Sequence, residues 1–342
     1  MNSRSVHLVG SLPAQSTKDA LSWAGEVLGN TLGPCLPDGE TGLRSDWVNR
    51  LVEGMRSHAD LELVRDGAWS GYTDTPVFRV RKGHRFRTVD LDYVAEFEKS
   101  WPVFQEHPVS RDRTFQVGIP GHFDLAAIAF GFNLPAAMRH LAPFRDATIR
   151  EMATIQTMAS GRVVFQLEVP IELILLTKLP GPARAAAAKR MAREALRLVE
   201  AASPGSRIGL HLCLGDLNNE SMGAPVDTWP LVTFANAMMA EWPARRTLEF
   251  LHVPLAHGAE PPTMDPDYYA PLEYLAIPGE VPFIAGFIHE KSLIKDLVLV
   301  RDQIEHNLDR QIDVAASCGL GRRPWAAANL NLQIARAVAL AE

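Results

Sequence analysis

Short runs of apolar, often β-branched residues alternate along the chain with longer stretches in which apolar positions recur every three or four residues. The short runs are VHLVGS (6–11), CLPDG (35–39), FQVGIPG (115–121), VVFQLEVP (163–170), IGLHLCLG (208–215), TLEFLHVP (247–254), PFIAGFIHE (282–290) and VAASCGL (314–320). Their length and the Gly or Pro at their ends predict strands. Helical spacing covers 16–30, 44–57, 123–158, 182–202, 229–242, 292–311 and 324–341, and a loop is expected after residue 170. Segments 62–66, 77–82 and 87–92 are β-like, with Gly and Pro between them, and predict a small excursion such as a hairpin. Strands alternating with helices pair in parallel through right-handed crossovers. Eight such units predict an α/β fold, a (β/α)8 TIM barrel in a single domain spanning 1–342, with the β-like insertion around 60–92. A doubly wound open sheet is the structural alternative.

Composition narrows the field. The chain has 342 residues, 47% of them hydrophobic and 22% charged, as in soluble globular enzymes. A formal net charge of -6 leaves no basic excess, which argues against nucleic acid and anionic membranes as partners. The N-terminal MNSRSVHLVGS lacks the apolar region of a signal peptide, and no run approaches a membrane span, so a cytoplasmic location is expected. There are three cysteines, Cys35, Cys213 and Cys318. An odd number in a reducing compartment argues against a disulfide framework and leaves packing, metal binding or reactivity.

In a barrel of this kind the chemistry sits at the C-terminal ends of the strands. His211 and Cys213 lie two apart on one strand, so their side chains share a face. Cys318 ends the last strand and precedes Gly-Leu-Gly. An imidazole with two thiolates suits Zn²⁺. An isolated H-x-C pair reads more readily as buried core, and the distant Cys318 narrows that gap. Glu249 is a candidate fourth ligand with His252 as its rival; otherwise Glu249 belongs in an ion pair with an arginine. The Gly10 and Ser11 amides suit a carboxylate, and Glu40, just beyond the second strand, suits an ammonium group. Glu168 interrupts an apolar run, where an unpaired charge is costly, and so requires an arginine or a substrate amine beside it.

Six segments, in order along nearly the whole chain, resemble motifs of the catalytic C-terminal barrel of cobalamin-independent methionine synthase, within the superfamily that also holds uroporphyrinogen decarboxylase. VGSLP is similar to I-G-S-F-P, and DGETGLRSDWV to H-G-E-x-x-R-x-D-M-V with one more residue between Glu and Asp. QLEVP is similar to Q-x-D-E-P, HLCLGD to T-H-M-C, GFIHEKS to G-V-x-D-x-H-S, and SCGLGRR to D-C-G-L-K-x-R. The resemblance implies zinc held by His211, Cys213, Glu249 and Cys318, the gap from Cys213 to Glu249 being longer than is usual in the family. It also implies that Ser11, Glu40 and Glu168 hold the amino-acid end of a thiol.

The chain departs from the family where Asp becomes Glu168, the following Glu becomes Val169, the Asp of G-V-x-D becomes His289, and the catalytic His falls at Lys291. His289 is therefore the candidate general acid. The short, single-barrel members of the family are the better match, so a folate-binding half and a folate donor are not expected. The expected activity is methyl or alkyl transfer to a small, amino-acid-like thiol activated by Zn²⁺, with a corrinoid protein or another compound as alkyl donor. A metal-free decarboxylase or lyase on the same barrel, and a non-catalytic binding protein, are the rivals.

Overall fold

The computed structural model describes residues 4–342. Eight parallel strands form one sheet: β1 (Val6–His7), β2 (Cys35–Pro37), β5 (Thr114–Pro120), β6 (Val163–Glu168), β7 (Arg207–His211), β8 (Thr247–Pro254), β9 (Phe283–Ile288) and β10 (Asp313–Ala316). Their order around the sheet is β1-β10-β9-β8-β7-β6-β5-β2. Leu32, just before β2, bridges Val6 in parallel, and the Gly33 amide donates to the Val6 carbonyl at 2.9 Å, which brings the two edges together. The TIM barrel expected from the strand–helix alternation is the fold of this chain. Strands β3 (Leu61–Arg65) and β4 (Val77–Val80) form the antiparallel hairpin of the excursion. Among the described residues, no helix is long and apolar enough to cross a membrane.

Three segments differ from the sequence expectation. Residues 87–92 carry an alternating burial that mimics a strand, but Val89 and Leu91 pack without pairing. The Leu91 and Tyr93 amides donate instead to the buried Glu151 carboxylate at 2.9 and 2.6 Å, which starts the helix Tyr93–Glu106. The long helical pattern at 123–158 is broken into His122–Ala129, Leu134–Arg139 and Leu141–Met158. Gly131 and Phe132 adopt positive φ of 65° and 59°, ending the first piece, and Asn133 caps the second. The loop expected after residue 170 is the helix Pro170–Thr177, buried almost all round, so its sequence PIELILLT has no polar face to betray it.

The barrel interior combines an apolar cluster of Val9, Cys35, Val164, Phe250, Ile284 and Ala315 with a polar network. The tip of the Phe250 ring abuts Gly209, where a Cβ would come within 2.1 Å of it, so only glycine fits opposite it on β7. Gln116 donates through Nε2 to the Leu8 and Val9 carbonyls, both at 2.9 Å, and to Gln166 Oε1 at 3.1 Å. Gln166 Nε2 donates to Glu168 Oε1 at 3.0 Å. These bonds engage the amide nitrogens of both glutamines, leave Gln116 Oε1 buried without a partner, and run toward the C-terminal ends of the strands, where charged side chains begin.

Candidate functional site

Strand β7 stops at His211, and Cys213 stands in the loop just past it; Cys318 likewise lies two residues beyond β10. The fold still converges them: ligand atoms of His211, Cys213 and Cys318 lie within 4.8 Å of one another. The two sulfurs are 3.9 Å apart, far longer than a disulfide. Two thiolates on one tetrahedral Zn²⁺, each about 2.3 Å from it, stand about 3.8 Å apart, so this spacing fits. The Cys318 thiol beside it, together with His211, holds Cys213 well below the ordinary thiol range against the opposing effect of burial. A buried thiolate–thiol pair next to an imidazole is a donor set for a soft divalent cation.

The histidine is aimed by its neighbours. His252 Nε2 is 3.0 Å from the Ala316 carbonyl, which only accepts, so Nε2 carries the proton. The bare Nδ1 of His252 lies 2.7 Å from His211 Nδ1, which therefore donates. Burial, with His211 and His7 nearby, keeps His252 well below the usual imidazole range and hence neutral. His211 Nε2 is left buried with no hydrogen-bond partner. An orphaned nitrogen beside two sulfurs is what a metal ligand looks like without its metal, so the residues present fit the group. In this geometry both ring nitrogens of His252 are engaged, and it supports His211 through Nδ1. Substituting His252→Leu should lower metal affinity by about 10- to 100-fold, the usual effect of losing such a support, as measured by competition with a chromogenic chelator. Undiminished affinity would remove this role.

Glu249 is not brought to the cluster. It is the third residue of β8, skipped in the β7–β8 register, and it accepts two hydrogen bonds from Arg207 at 2.7 and 2.6 Å. Arg207 also donates to Thr114 Oγ1, at the first residue of β5, which places the pair at the N-terminal rim of the barrel. The ion pair weighed for Glu249 in the sequence is the arrangement found, and a side chain there cannot reach the opposite rim.

Ser11, Glu40 and Glu168 do meet. They line one cleft with Trp47, Cys318 and Arg322. The Ser11 hydroxyl accepts from the Gly321 amide at 3.3 Å and its carbonyl accepts from Leu320 at 2.7 Å, sealing the loop after Cys318 against the loop after β1. Glu168 ends β6, level with His211 on β7. A Cβ on Gly118 would lie 2.8 Å from Glu168 Oε1 and 3.0 Å from Glu40 Oε1, so both carboxylates border the space that glycine leaves open. The arginines nearby are committed elsewhere: Arg44 to Asp38 at 2.7 Å and Glu96 at 3.4 Å, Arg322 to Asp46 at 2.9 Å. Among the described residues, neither Glu40 nor Glu168 is in a salt bridge. Burial, then Glu168 and Asp38, push Glu40 up to about 8, while Arg44 and Arg322 oppose the shift. Burial also raises Glu168, against the pull of His211. Two buried carboxylates outside any salt bridge suit a positively charged group between them.

His289 is buried at the end of β9, but both its ring nitrogens are engaged. Nε2 lies 3.3 Å from the Gly258 carbonyl, and Nδ1 accepts from the Lys291 amide at 3.2 Å. In this geometry it tethers the loop after β8 and does not line the cleft. Sequence reasoning missed Arg322 and Tyr72. The Tyr72 hydroxyl, carried by the hairpin insertion, accepts from the Leu217 amide and donates to the Glu220 carbonyl, both at 2.9 Å. It thereby covers the loop that bears Cys213. Nothing in a loop's composition tells where its tip docks, whereas the arginine doublet after the Gly-Leu-Gly turn was a visible signal.

No family model and no curated protein matches the chain. Solved structures do. The structure of a B12-independent methionine synthase from Shewanella sp. W3-18-1 in complex with selenomethionine matches with a TM-score of 0.61 at 12% identity, covering 98% of this chain and 96% of that one. A putative vitamin-B12-independent methionine synthase from Listeria monocytogenes matches with a TM-score of 0.54 at 15% identity, covering 94% and 85%. At these identities the likeness is one of fold. The barrel shared with them is the one that the six motifs implied.

Proposed function

We propose that the chain is a zinc-dependent methyl- or alkyltransferase acting on a small thiol that carries an amine. The observation that carries this reading is the buried convergence of His211, Cys213 and Cys318, with His211 Nε2 unpartnered and aimed by His252. When bound there, Zn²⁺ supplies a lowered thiol pKa, so that the nucleophile is present at neutral pH. The chain's own residues bind and orient. Glu40 and Glu168 take the ammonium group, and Ser11 fixes the loop that closes over Cys318. The cleft, lined by Cys318, holds the sulfur end of the substrate toward the metal cluster. In the reaction a sulfur–carbon bond forms, the donor–carbon bond breaks, and the thiol proton passes to solvent. The alkyl donor is a small electrophile or a corrinoid protein.

Purified protein from metal-replete expression should hold about one zinc per chain by mass spectrometry of the metal. It should also S-methylate an aminothiol such as L-homocysteine when a methyl donor is supplied. Fully folded protein free of any transition metal would overturn the reading.

A further inference from the structure

The two sulfurs are not reached alike. Cys318 lines the cleft with Ser11, Glu40 and Glu168, whereas Cys213 does not. Over the loop that follows Cys213 lies the tip of the hairpin insertion, which the proposed function leaves without a task. The base of that hairpin is fixed. Strands β3 and β4 pair with each other, Leu61 and Phe78 belong to the core, and Arg56 donates to Asp66, just past β3, at 2.5 Å. The Trp69 indole donates to Glu53 at 2.7 Å, and Trp69 holds a positive φ of 58°, a strained conformation for a bulky residue. Beyond Trp69 the turn 69–74 folds upon itself. The Trp69 amide donates to the Asp74 carbonyl at 2.8 Å, and Ser70 Oγ donates to Asp74 Oδ2 at 2.5 Å. Ser70 and Thr73 are exposed, and a Cβ on Gly71 would meet nothing within 4 Å.

The turn is held to the barrel at Tyr72. Its hydroxyl accepts from the Leu217 amide and donates to the Glu220 carbonyl, both at 2.9 Å. Gly215 makes room for it, since a Cβ there would lie 2.5 Å from the hydroxyl oxygen. Burial raises the Tyr72 phenol against the pull of the Leu217 amide, and Cys213, Asp216 and Cys318 add to the rise. The hydroxyl therefore keeps its proton to donate and stands within electrostatic reach of both sulfurs. Neutral hydrogen bonds contribute modestly, and a segment with few buried apolar contacts opens locally without unfolding the rest. We propose that the turn 69–74 is a lid over the Cys213 side of the cluster, pivoting on Trp69 and latched by the Tyr72 hydroxyl. Its opening gives a second entrance to the sulfurs, separate from the cleft. The inference goes beyond the proposed function and needs neither zinc nor a named substrate, so either can fail while the other stands. The competing role for Tyr72 is a static strut that keeps the loop after Cys213 in shape.

Thiol labelling of the full chain, freed of metal by a chelator, separates lid from strut. The probes are iodoacetamide, which is small, and fluorescein maleimide, which is bulky. Initial rates at Cys213 and Cys318 are read by peptide mass spectrometry, and each variant rate is divided by the wild-type rate at the same cysteine, so differences in thiol acidity cancel. In wild type the ratio of Cys213 to Cys318 labelling should be lower for the maleimide by about threefold or more, because the closed lid excludes bulk. Tyr72→Phe should raise the Cys213 rate by about tenfold, the effect of one or two lost neutral hydrogen bonds, and change the Cys318 rate by about twofold or less. Cys35, buried in the barrel, should stay unlabelled throughout. A similar rise at both sulfurs would make Tyr72 a strut, and an unchanged Cys213 rate would overturn the lid. Should Tyr72→Phe fail to fold, as labelling of Cys35 would reveal, wild type decides alone: equal ratios for the two reagents would overturn the lid.

Discussion

Replacing Cys318 by alanine should abolish the zinc binding proposed for this cluster. The remaining His211 and Cys213 cannot complete a tetrahedron, and the loss of one thiolate should weaken zinc by roughly two to three powers of ten. After dialysis against a chelator the variant should hold less than about a tenth of an equivalent, and thiol alkylation should fall below detection. Cys213→Ala should behave alike, because the two sulfurs, 3.9 Å apart, act as one donor pair. Cys35→Ala is the internal control. Cys35 is buried in the barrel's apolar cluster, and burial pushes its thiol up to about 12, so it is a neutral, small hydrophobe. Its removal should cost about 1 kcal/mol of packing or a little more and leave zinc in place. A Cys318→Ala protein that keeps a full equivalent of zinc and full turnover would dismantle the site.

The contrast among the three cysteines shows what a sequence reveals about a barrel. A residue near the C-terminal end of a strand and one near its start read alike locally, and only their place along the strand separates site from scaffold. Cys213 and Cys318 follow their strands, whereas Cys35 opens β2. Glu249 obeys the same rule: third along β8, it belongs to the rim opposite the site, where Arg207 already waits. His252, three residues further on, lies high enough to touch His211. Position along the strand was legible before the structure. The partner of each buried charge was not, because Arg207, Arg44 and Arg322 choose their carboxylates through tertiary placement.

Helix boundaries failed for a related reason. Periodicity reports a helix only when one face is wet, so PIELILLT, enclosed by its neighbours, left no trace. Conversely, 123–158 kept one continuous pattern across a break that two successive residues of positive φ impose. The hairpin insertion was recognisable as β structure, yet its functional consequence, Tyr72 over the loop carrying Cys213, depended on where its tip docked.

Glu40→Gln should separate stability from binding, and do so as a function of pH. In the folded protein burial, Glu168 and Asp38 raise Glu40 to about 8, above its ordinary value of about 4.3 in an unfolded chain. Below the unfolded value both states hold the proton, and the group adds no slope. Between the two values the unfolded chain loses the proton while the folded one keeps it. Stability therefore falls as pH rises through this window and levels off above about 8. Glutamine has no proton to lose, so the variant's melting temperature should exceed wild type's by more at pH 8 than at pH 5. Ligand binding should move the other way. An ammonium group needs the ionised carboxylate, so wild-type affinity for L-methionine should rise toward pH 8, with up to one proton released per ligand bound near pH 6.5. That release shows in calorimetry as a dependence of the heat on the buffer's ionisation enthalpy. In Glu40→Gln the release should disappear, affinity should drop by about 10- to 100-fold, consistent with roughly 1.5–3 kcal/mol for a hydrogen bond to a charge, and zinc content should not change. A variant that binds L-methionine like wild type, with the same proton release, would show that Glu40 is scaffold. A variant that is more stable at pH 8 and yet has lost its ligand would mark Glu40 as a charge kept buried, against the stability of the fold, for the sake of a cation that arrives with the substrate.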